Sequence, residues 1–378
     1  MKNINELLQK EQLRIMGLMT GTSADELDMC LVEFSGKDKY PKFKIISSKN
    51  IKMPSKLSER FKNPQDLSGS EVASLHFELG RFISDQIKNE KKQIDLVASH
   101  GQTLFHDPPN YTFQIGEPSY IVNELNIPVV YDFRTMDVVN GGQGAPLIPI
   151  VDEYLFTDDD DTVATLNLGG IANITIIPPK NSSKSTIAWD TGPANMLIDK
   201  AVLAFTSNKE KYDKDGKYAL QGKMNNELLE WLMNNEYFNR KLPKSTGQEK
   251  FGRTYFNKII EKFQPQTKDK WLSLITTLTL FTVRSISVEF NRESEKYSKV
   301  KTMYMSGGGS NNNFIVENLR KELSDINIKI LSEKSITADN KEAFGFAYLG
   351  YLFIRRIPGN VPSVTGAKKE SVLGKIVF

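Results

Sequence analysis

The chain has 378 residues, and its 49 Lys and Arg against 46 Asp and Glu give a formal net charge of +3. Because charges of both signs are interspersed, we expect no dedicated nucleic-acid surface. The single cysteine, Cys30, excludes a disulfide framework within the chain, and three histidines argue against a His/Cys zinc site. No segment approaches about 18 uninterrupted apolar residues, so we expect no membrane-spanning helix. The polar start lacks the apolar stretch of a signal peptide, and we therefore expect a cytoplasmic protein.

The first part of the chain alternates short apolar runs with polar loops that contain glycine. Apolar runs bounded by Gly, Ser, Thr and Asp are typical of strands, and apolar residues three and four positions apart are typical of a helix. The pattern predicts a short polar helix within residues 1–12, strands at 15–19, 29–34, 42–51, 94–98 and 128–131, and a helix at 70–89.

The second part repeats this alternation on a larger scale. It predicts strands at 162–167, 174–177, 186–189 and 300–305, and helices at 196–205, 225–233, 272–291, 312–323 and 343–355. Alternating strands and helices indicate an α/β fold class with two sheet-based domains. We place the domain junction near residues 141–146, where glycine and proline break the chain.

A polar loop at 20–28 joins the first two predicted strands and contains Gly21. Glycine lets backbone N–H groups turn toward an anion, and the neighbouring Thr and Ser hydroxyls add hydrogen-bond donors. Asp25 and Asp28 could hold Mg²⁺, because Mg²⁺ prefers carboxylate oxygens and water. A polar hairpin turn without a ligand is the alternative interpretation of the same residues.

Two further glycine turns follow strands in the second part of the chain. Gly169 and Gly170 come directly after a predicted strand, and paired glycines allow backbone to approach a phosphate closely. Gly307, Gly308 and Gly309 lie between a predicted strand and a helix, which suits the adenosine or α-phosphate end of a nucleotide. They do not form a Walker loop, because no Gly-Lys-Ser/Thr follows. A tight hairpin turn and a flexible connection are the respective alternatives.

Asp190 lies at the end of the apolar strand predicted at 186–189. A carboxylate at such a strand end is partly desolvated, which suits it to act as a general base. A turn or a helix cap is the alternative role for this residue. Three glycine-containing loops at strand ends and one strand-end aspartate are together what an ATP-phosphate clamp between two domains requires.

Short motifs extend over nearly the whole chain: GTSAD at 21–25, HGQT at 100–103, QIG at 114–116, DFR at 132–134, GGQGAPL at 141–147, NLGGIAN at 167–173, DTGP at 190–193, PKSTG at 243–247, SGGG at 306–309 and GNVPSVTGA at 359–367. In type and order they resemble the anhydro-N-acetylmuramic acid kinases of the actin/Hsp70/hexokinase-like sugar-kinase superfamily. The resemblance implies a two-domain actin-like ATPase fold with an interdomain cleft. We assign an N-terminal α/β domain to residues 1–140 with 360–378, and a larger C-terminal α/β domain to 141–359.

The resemblance also implies a reaction and its partners. Water opens a 1,6-anhydro bridge at the anomeric carbon, and the freed O6 takes the γ-phosphoryl group of ATP. The product is N-acetylmuramic acid 6-phosphate, a step in cell-wall recycling. The expected partners are ATP, Mg²⁺ and a small anhydro-sugar, without nucleic acid or membrane, and a homodimer is left open.

Site residues carry over by position from the same resemblance. Asp190 is the base that activates water. The other assignments are a phosphate-binding hairpin with Gly21, Thr22, Ser23, Asp25 and Asp28, of which the two aspartates also hold the metal; ATP turns with Gly169, Gly170, Gly307, Gly308 and Gly309; and sugar-site residues His100, Thr103, Arg134 and Glu342. The alternatives are a core histidine for His100, a helix-start carboxylate for Glu342, and an ion pair with Asp132 or Asp137 for Arg134.

The sequence departs from the family pattern at three places. Glu26 stands where the phosphate loop usually has glycine, Thr135 and Met136 replace a basic stretch, and Ala194 replaces a glycine beside Asp190. A glutamate that faced the phosphates would repel them, and glutamate tolerates a positive φ poorly. These departures leave three alternatives open: a kinase for a neutral anhydro-hexose such as levoglucosan, a non-catalytic nucleotide or sugar sensor, and a plain glycosidase that uses Asp190 and Glu342.

Overall fold

The computed structural model describes residues 4–21, 24–61, 63–88, 90, 94–297, 299–331, 336–337 and 340–378. Its strands are β1 Gln12–Thr20, β2 Glu26–Ser35, β3 Lys42–Lys52, β4 Leu96–Ser99, β5 Gln102–Asp107, β6 Tyr111–Ile115, β7 Val129–Tyr131, β8 Thr162–Leu168, β9 Ile171–Ile177, β10 Ile187–Pro193, β11 Val300–Ser306, β12 Asn327–Ile330 and β13 Lys375–Val377. Its helices are α1 Ile4–Gln9, α2 Ser55–Ser58, α3 Gly69–Ile87, α4 Ser119–Leu125, α5 Thr135–Val139, α6 Pro149–Phe156, α7 Asn195–Phe205, α8 Asn226–Met233, α9 Gln248–Phe251, α10 Arg253–Phe263, α11 Lys268–Ser294, α12 Asn313–Glu322, α13 Lys341–Arg355 and α14 Pro362–Thr365. Short 3₁₀ turns occur at Glu59–Phe61, Pro64–Asp66, Lys214–Gly216, Glu236–Asn239 and Gly308–Asn311.

The chain divides into two compact units, Met1–Tyr154 with Lys334–Phe378, and Leu155–Glu333. The first unit contains a sheet with the strand order β13-β7-β4-β1-β2-β3. Strand β1 runs antiparallel to β2 and parallel to β4, β2 is antiparallel to β3, and β4 is parallel to β7. The β1–β2 hairpin forms because two apolar runs are separated only by a short polar loop.

The second unit repeats this arrangement with the strand order β10-β9-β8-β11-β12. Strand β8 is antiparallel to β9 and parallel to β11, β9 is antiparallel to β10, and β11 is parallel to β12. Both units therefore begin with an antiparallel meander of three strands and extend it with parallel strands on the far side of the first one. The carboxyl ends of the parallel strands meet at one edge of each sheet, which is where ligand sites of α/β proteins form.

Helix α11 forms the centre of the second unit. Thr267 caps its N-terminus by accepting a hydrogen bond from the N–H of Lys270, at 3.3 Å. Among the described residues, this helix is long and apolar enough to cross a membrane by length and composition alone. In its most apolar window, 72% of the residues are buried inside the protein, which is the pattern of a core helix.

The observed division differs from the junctions that we expected near residues 140 and 359, and it makes the first unit the larger one. Packing contacts of Tyr154 and of helix α13 explain why both belong to the first unit. Tyr154 stacks on Tyr348 with ring centroids 4.2 Å apart, and its hydroxyl donates to the carbonyl of Pro41 at 2.6 Å. Helix α13 lies against β1 of the first sheet, where Gly17 faces Ala343. Residues before and after the glycine-rich segment 141–146 therefore belong to one core.

The predicted elements in the longest apolar runs are confirmed, with small differences at their ends. The predicted hairpin strands correspond to β1 and β2, and the predicted helices at 70–89, 272–291 and 343–355 correspond to α3, α11 and α13. Several elements were not predicted, among them the β5–β6 hairpin, the edge strands β12 and β13, and the helices α6 and α10. The missed strands are three to six residues long, and such runs contain too few positions for a period to be recognised.

Gly17 should be intolerant of any side chain. A Cβ at this position would lie 1.9 Å from the carbonyl oxygen of Ala343, so α13 must move away from β1 to admit it. We expect Gly17→Ala to lower the free energy of unfolding by about 1–3 kcal/mol in urea denaturation. The control is Gly69→Ala at the start of α3, where a Cβ meets no atom within 4 Å and alanine should be neutral or mildly stabilising. Equal effects of the two substitutions would contradict this packing argument.

Candidate active site

A row of polar residues crosses the sheet of the second unit at one level. Asp190 of β10 lies opposite Asn173 of β9, which lies opposite Asn167 of β8, which in turn lies opposite Ser306 of β11. Residues directly opposite each other in a sheet project to the same face. Because neighbouring strands are about 4.8 Å apart, Asp190 and Ser306 are separated by about 14 Å. The predicted base and the predicted nucleotide turn thus share one edge of one sheet.

Asp190 is held by the segment that follows Tyr237. The N–H of Thr246 donates to Asp190 Oδ2 at 2.8 Å, and the N–H of Asp190 donates to the carbonyl of Lys244 at 3.4 Å. The Tyr237 hydroxyl donates to the Asp190 carbonyl at 2.7 Å. Burial raises the pKa of Asp190 to about 6, while the Thr246 amide opposes that rise. At neutral pH the carboxyl group is therefore mostly ionised and still basic enough to accept a proton.

Asn195, at the start of α7, holds the turn at Gly169 and lies beside Gly309 of the other glycine turn. Its N–H donates to the carbonyl of Gly169 at 3.1 Å, and its Nδ2 donates to the carbonyl of Leu168 at 3.0 Å. Gly307 has a φ of +84°, and a Cβ there would lie 2.7 Å from the carbonyl oxygen of Leu168. The structure therefore brings Gly169 and Gly307 together, and glycine is required at 307 for both conformation and space. Asn195 lies two residues after the DTGP motif, and sequence reasoning gave it no role.

The third glycine loop connects β1 and β2 in the first unit. Thr22 and Ser23 lie outside the described residues. The N–H of Ala24 donates to the carbonyl of Gly21 at 3.0 Å, which closes a turn. Asp25 is exposed, and Asp28 is partly buried and accepts a hydrogen bond from Asn50 Nδ2 at 2.6 Å. The two carboxylates are hard oxygen donors of the kind that Mg²⁺ binds together with water and phosphate oxygens, so the donor set fits this ion.

Glu26 lies outside the strained part of this loop. It is the first residue of β2, is exposed, and pairs across the sheet with Lys52 of β3. Ala24, with a φ of 51°, adopts the left-handed conformation that we had associated with Glu26, which is absent from the residues of positive φ. Position 26 therefore does not require glycine for its backbone.

His100, which is buried, and Arg134, which is partly buried, interact at the carboxyl ends of β4 and β7. His100 Nδ1 lies 2.8 Å from the carbonyl of Gly101, and Arg134 Nε donates to His100 Nε2 at 3.0 Å. Burial and the Arg134 charge keep the pKa of His100 well below its ordinary value, so its ring is neutral and Nδ1 bears the proton. Burial lowers the pKa of Arg134 to about 10, which leaves it charged at neutral pH. The Nδ1 contact thus fixes the His100 ring, and Nε2 accepts the hydrogen bond from Arg134.

Thr103 and Glu342 complete the predicted sugar-site set. Thr103 Oγ1 lies 3.5 Å from His100 Nε2 and accepts a hydrogen bond from Gln114 Nε2 at 3.2 Å. The Glu342 side chain is exposed at the second position of α13, but the surrounding protein and the Asp28 carboxylate raise its pKa, against the effect of Arg134. The four predicted residues come from three segments of the chain and interact within one unit.

Asp137 connects two motifs to which sequence reasoning assigned no role. Its Oδ1 accepts hydrogen bonds from Asn360 Nδ2 and Thr365 Oγ1, both at 2.8 Å, and its Oδ2 accepts from the N–H of Gly144 at 2.8 Å. The Gly144 carbonyl in turn accepts from Arg134 Nη1 at 2.7 Å. The buried Asp137 carboxylate therefore ties the glycine-rich segment and the C-terminal motif to the Arg134 side chain.

A cavity of about 290 Å³ adjoins His100 on the side of the β5–β6 hairpin. Gln114, Asp132 and Thr135 also line it, together with Lys375, whose Nζ lies 2.6 Å from Asp132 Oδ2. Lys375 is a cation that sequence reasoning missed, because it comes from the terminal strand β13, far along the chain from the other lining residues. The alternative ion pair of Arg134 with Asp132 is not formed: Asp132 pairs with Lys375.

The family profile of anhydro-N-acetylmuramic acid kinase matches residues 13–378. This chain belongs to that family. The anhydro-N-acetylmuramic acid kinase of Bacillus thuringiensis subsp. konkukian (strain 97-27) is 36% identical to it over 382 residues, which covers 96% of this chain and 99% of the relative. That of Caldanaerobacter subterraneus subsp. tengcongensis is 36% identical over 397 residues and covers all of both chains. The family resemblance of the motifs and the α/β fold class with two sheet-based units are confirmed.

Similarity to solved structures is weaker. A ROK family glucokinase from Streptomyces griseus, in complex with glucose and AMPPNP, is 10% identical to this member of the anhydro-N-acetylmuramic acid kinase family. It aligns with a TM-score of 0.37 and covers 89% of this chain and 98% of the other.

Replacement of Asp137 by asparagine should destabilise the first unit. The carboxylate accepts three hydrogen bonds, and an amide must turn its own N–H groups toward at least one of these donors. A buried donor that loses its acceptor costs about 1–3 kcal/mol, so we expect the free energy of unfolding to fall by that amount. The exposed Asp159→Asn is the control and should change stability by less than about 0.5 kcal/mol. Denaturation curves that coincide for Asp137→Asn and the wild type would refute this role.

Proposed function

We propose that this chain is an ATP-dependent kinase that opens 1,6-anhydro-N-acetylmuramic acid with water and phosphorylates O6. The product is N-acetylmuramic acid 6-phosphate, which returns cell-wall sugar to metabolism. The observation that supports this most is Asp190, a partly buried carboxylate with a pKa of about 6 on the same sheet edge as two phosphate-type glycine turns. We further propose that the enzyme acts in the cytoplasm, where ATP is available.

Asp190 acts as the general base in this proposal. It removes a proton from water as the water oxygen bonds to the anomeric carbon and the bond from that carbon to O6 breaks, as in inverting glycoside hydrolysis. The O6 alkoxide then attacks the γ-phosphorus of ATP, the bond to the β–γ bridging oxygen breaks, and ADP leaves. The electron pair of the broken bond between the anomeric carbon and O6 goes to O6, and that of the broken phosphorus–oxygen bond goes to ADP. The reaction therefore needs no oxidant or further reactant.

Arg134 is the proposed partner of the lactyl carboxylate. Two of its five N–H groups are used by His100 and Gly144, which fix the plane of the guanidinium. A guanidinium held in this way is suited to bidentate binding of a carboxylate. In this proposal Thr103 and Glu342 contact the sugar, and His100 acts through Arg134.

The glycine turns supply backbone N–H groups to the phosphates. The proposed donors are Gly21 and the turns at Gly169–Gly170 and Gly307–Gly309. Asp25 and Asp28 would hold Mg²⁺, which neutralises phosphate charge when bound. These assignments follow the family resemblance, and the close approach of the Gly169 and Gly307 turns supports them.

The alternatives predict different behaviour. A neutral-sugar kinase is supported by the loss of basic residues at 135 and 136, but Lys375 places a cation beside the same segment. The sensor alternative was based on the repulsion that Glu26 would exert if it faced the phosphates. Glu26 is exposed and pairs with Lys52 across the sheet. Equal turnover with and without the lactyl group would favour the neutral-sugar kinase. Ring opening without ATP would favour a glycosidase.

Asp190→Asn should abolish turnover without abolishing nucleotide binding. The amide cannot accept the proton of water, whereas the glycine turns are unchanged. We expect the rate of coupled ADP release with the anhydro-sugar, ATP and Mg²⁺ to fall at least about a hundredfold. The exposed Asp325→Asn is the control and should retain wild-type rates. Undiminished ADP release by Asp190→Asn would refute the catalytic role, and a wild type without turnover would favour the sensor.

The rate should depend on pH through the ionisation of Asp190. The base works only when deprotonated, and its pKa is raised to about 6 by burial. We therefore expect kcat/KM for the sugar to be level above about pH 7 and to fall about tenfold per pH unit well below 6. A profile that stays level down to pH 5 would contradict this assignment.

A further inference from the structure

Two opposite charges are buried together in the core of the second unit. Lys244 Nζ lies 2.7 Å from Glu289 Oε2, and the two side chains are only 1% and 0% exposed. Removal of two charges from water usually costs as much as their attraction returns, and apolar residues at such positions often give equal or greater stability. Stability alone therefore does not explain the Lys244–Glu289 pair, and its contacts with neighbouring residues indicate a second role.

The pair fixes one segment of chain to helix α11. Arg292, one turn further along α11, donates from Nη2 to the same Glu289 oxygen at 2.7 Å and from Nη1 to the carbonyl of Phe238 at 2.6 Å. Lys244 Nζ also lies over the ring of Tyr237, 4.6 Å from its centroid. We refer to residues 237–246, which begin and end beside Asp190, as the anchor segment.

Three hydrogen bonds connect the anchor segment to Asp190. The Tyr237 hydroxyl donates to the Asp190 carbonyl, the Lys244 carbonyl accepts from the Asp190 N–H, and the Thr246 N–H donates to Asp190 Oδ2. Lys244 lies between the other two contributors in sequence. Its side chain reaches into the core while its main chain contacts the aspartate, so displacement of Lys244 must displace the Thr246 amide.

We propose that Lys244, through its buried ion pair with Glu289, is a positioning residue that holds the anchor segment against Asp190 and thereby aims its carboxylate. The pair acts through the Thr246 amide and does not touch the substrate. This assignment deepens the proposed function, and its effect on turnover rests on that function. Its effect on the carboxylate does not, because the contacts exist in the protein without substrate.

The Thr246 amide stabilises the charged form of Asp190, so loss of this contact should raise the pKa of Asp190 further. Other charges act on the same carboxyl group: Glu249 raises its pKa and Lys244 lowers it. A variant that removes only Lys244 would mix its direct charge effect with the loss of positioning. Removal of both members of the pair leaves the net charge unchanged but still removes the direct effect of Lys244 on Asp190. Glu289→Gln keeps the Lys244 charge, so it is the variant that reports on the Thr246 contact alone.

The test is the double variant Lys244→Met/Glu289→Leu, in which two apolar side chains replace the ion pair. Carboxyl ¹³C chemical shifts of Asp-labelled full-length protein are followed against pH without substrate, and Asp190→Asn identifies the Asp190 signal. We expect the pKa of Asp190 to rise by at least about half a unit. We also expect kcat to fall about tenfold or more, while KM for ATP changes less than about twofold, because the base is misaligned but the glycine turns are intact.

Two further variants keep the result interpretable. Ile275→Val changes a buried side chain on the same helix and should move neither the Asp190 titration nor kcat. If the double variant does not fold, Glu289→Gln retains the shape and an acceptor oxygen for Lys244, and it should shift the titration of Asp190 in the same direction by a smaller amount. A folded double variant whose Asp190 titrates within about 0.2 units of the wild type would overturn the positioning role. A titration that is shifted in Glu289→Gln as well, in a protein that releases no ADP, would uphold it and count against the proposed function alone.

Discussion

The hydrogen bond from the Thr246 amide to Asp190 is the interaction on which the proposed chemistry depends. A carboxyl group that is removed from water tends to take up a proton and is then useless as a base. One backbone donor, 2.8 Å from Oδ2, offsets enough of that tendency to leave the pKa near 6. The balance lets Asp190 be ionised at neutral pH while remaining a stronger base than an exposed aspartate. The network around Lys244 and Glu289 matters because it fixes the position of this one donor.

The repeated sheet explains why the functional groups collect as they do. Each unit places parallel strand ends at one edge, and chain reversals there supply glycines and short polar side chains. In the second unit these are the turns at Gly169 and Gly307, together with Asp190 on the same row. In the first unit they are the loop at Gly21 and the His100–Arg134 pair. The same strand pattern thus places glycine turns or short polar side chains at the strand ends of each unit.

Much of the fold and part of the site could be predicted from local sequence. Long apolar runs and glycine turns report their own conformation, so β1, α11 and the turn at Gly307 were recognisable. Contacts over long sequence separations could not be predicted in this way. Thr246 is 56 residues from Asp190, and Asp137 reaches its partner Thr365 across 228 residues. Such pairs leave no periodic signal, and for the same reason the return of α13 to the first unit was missed.

Turnover in water labelled with ¹⁸O tests the central claim most directly, because that claim concerns where the activated water is used. If Asp190 activates water for attack on the anomeric carbon, mass spectrometry of the sugar phosphate should find one labelled oxygen in the anomeric hydroxyl and none in the phosphate. Label in the phosphate group, or in released inorganic phosphate, would mean that water attacks phosphorus. The role of Asp190 as the base for anomeric attack would then be wrong.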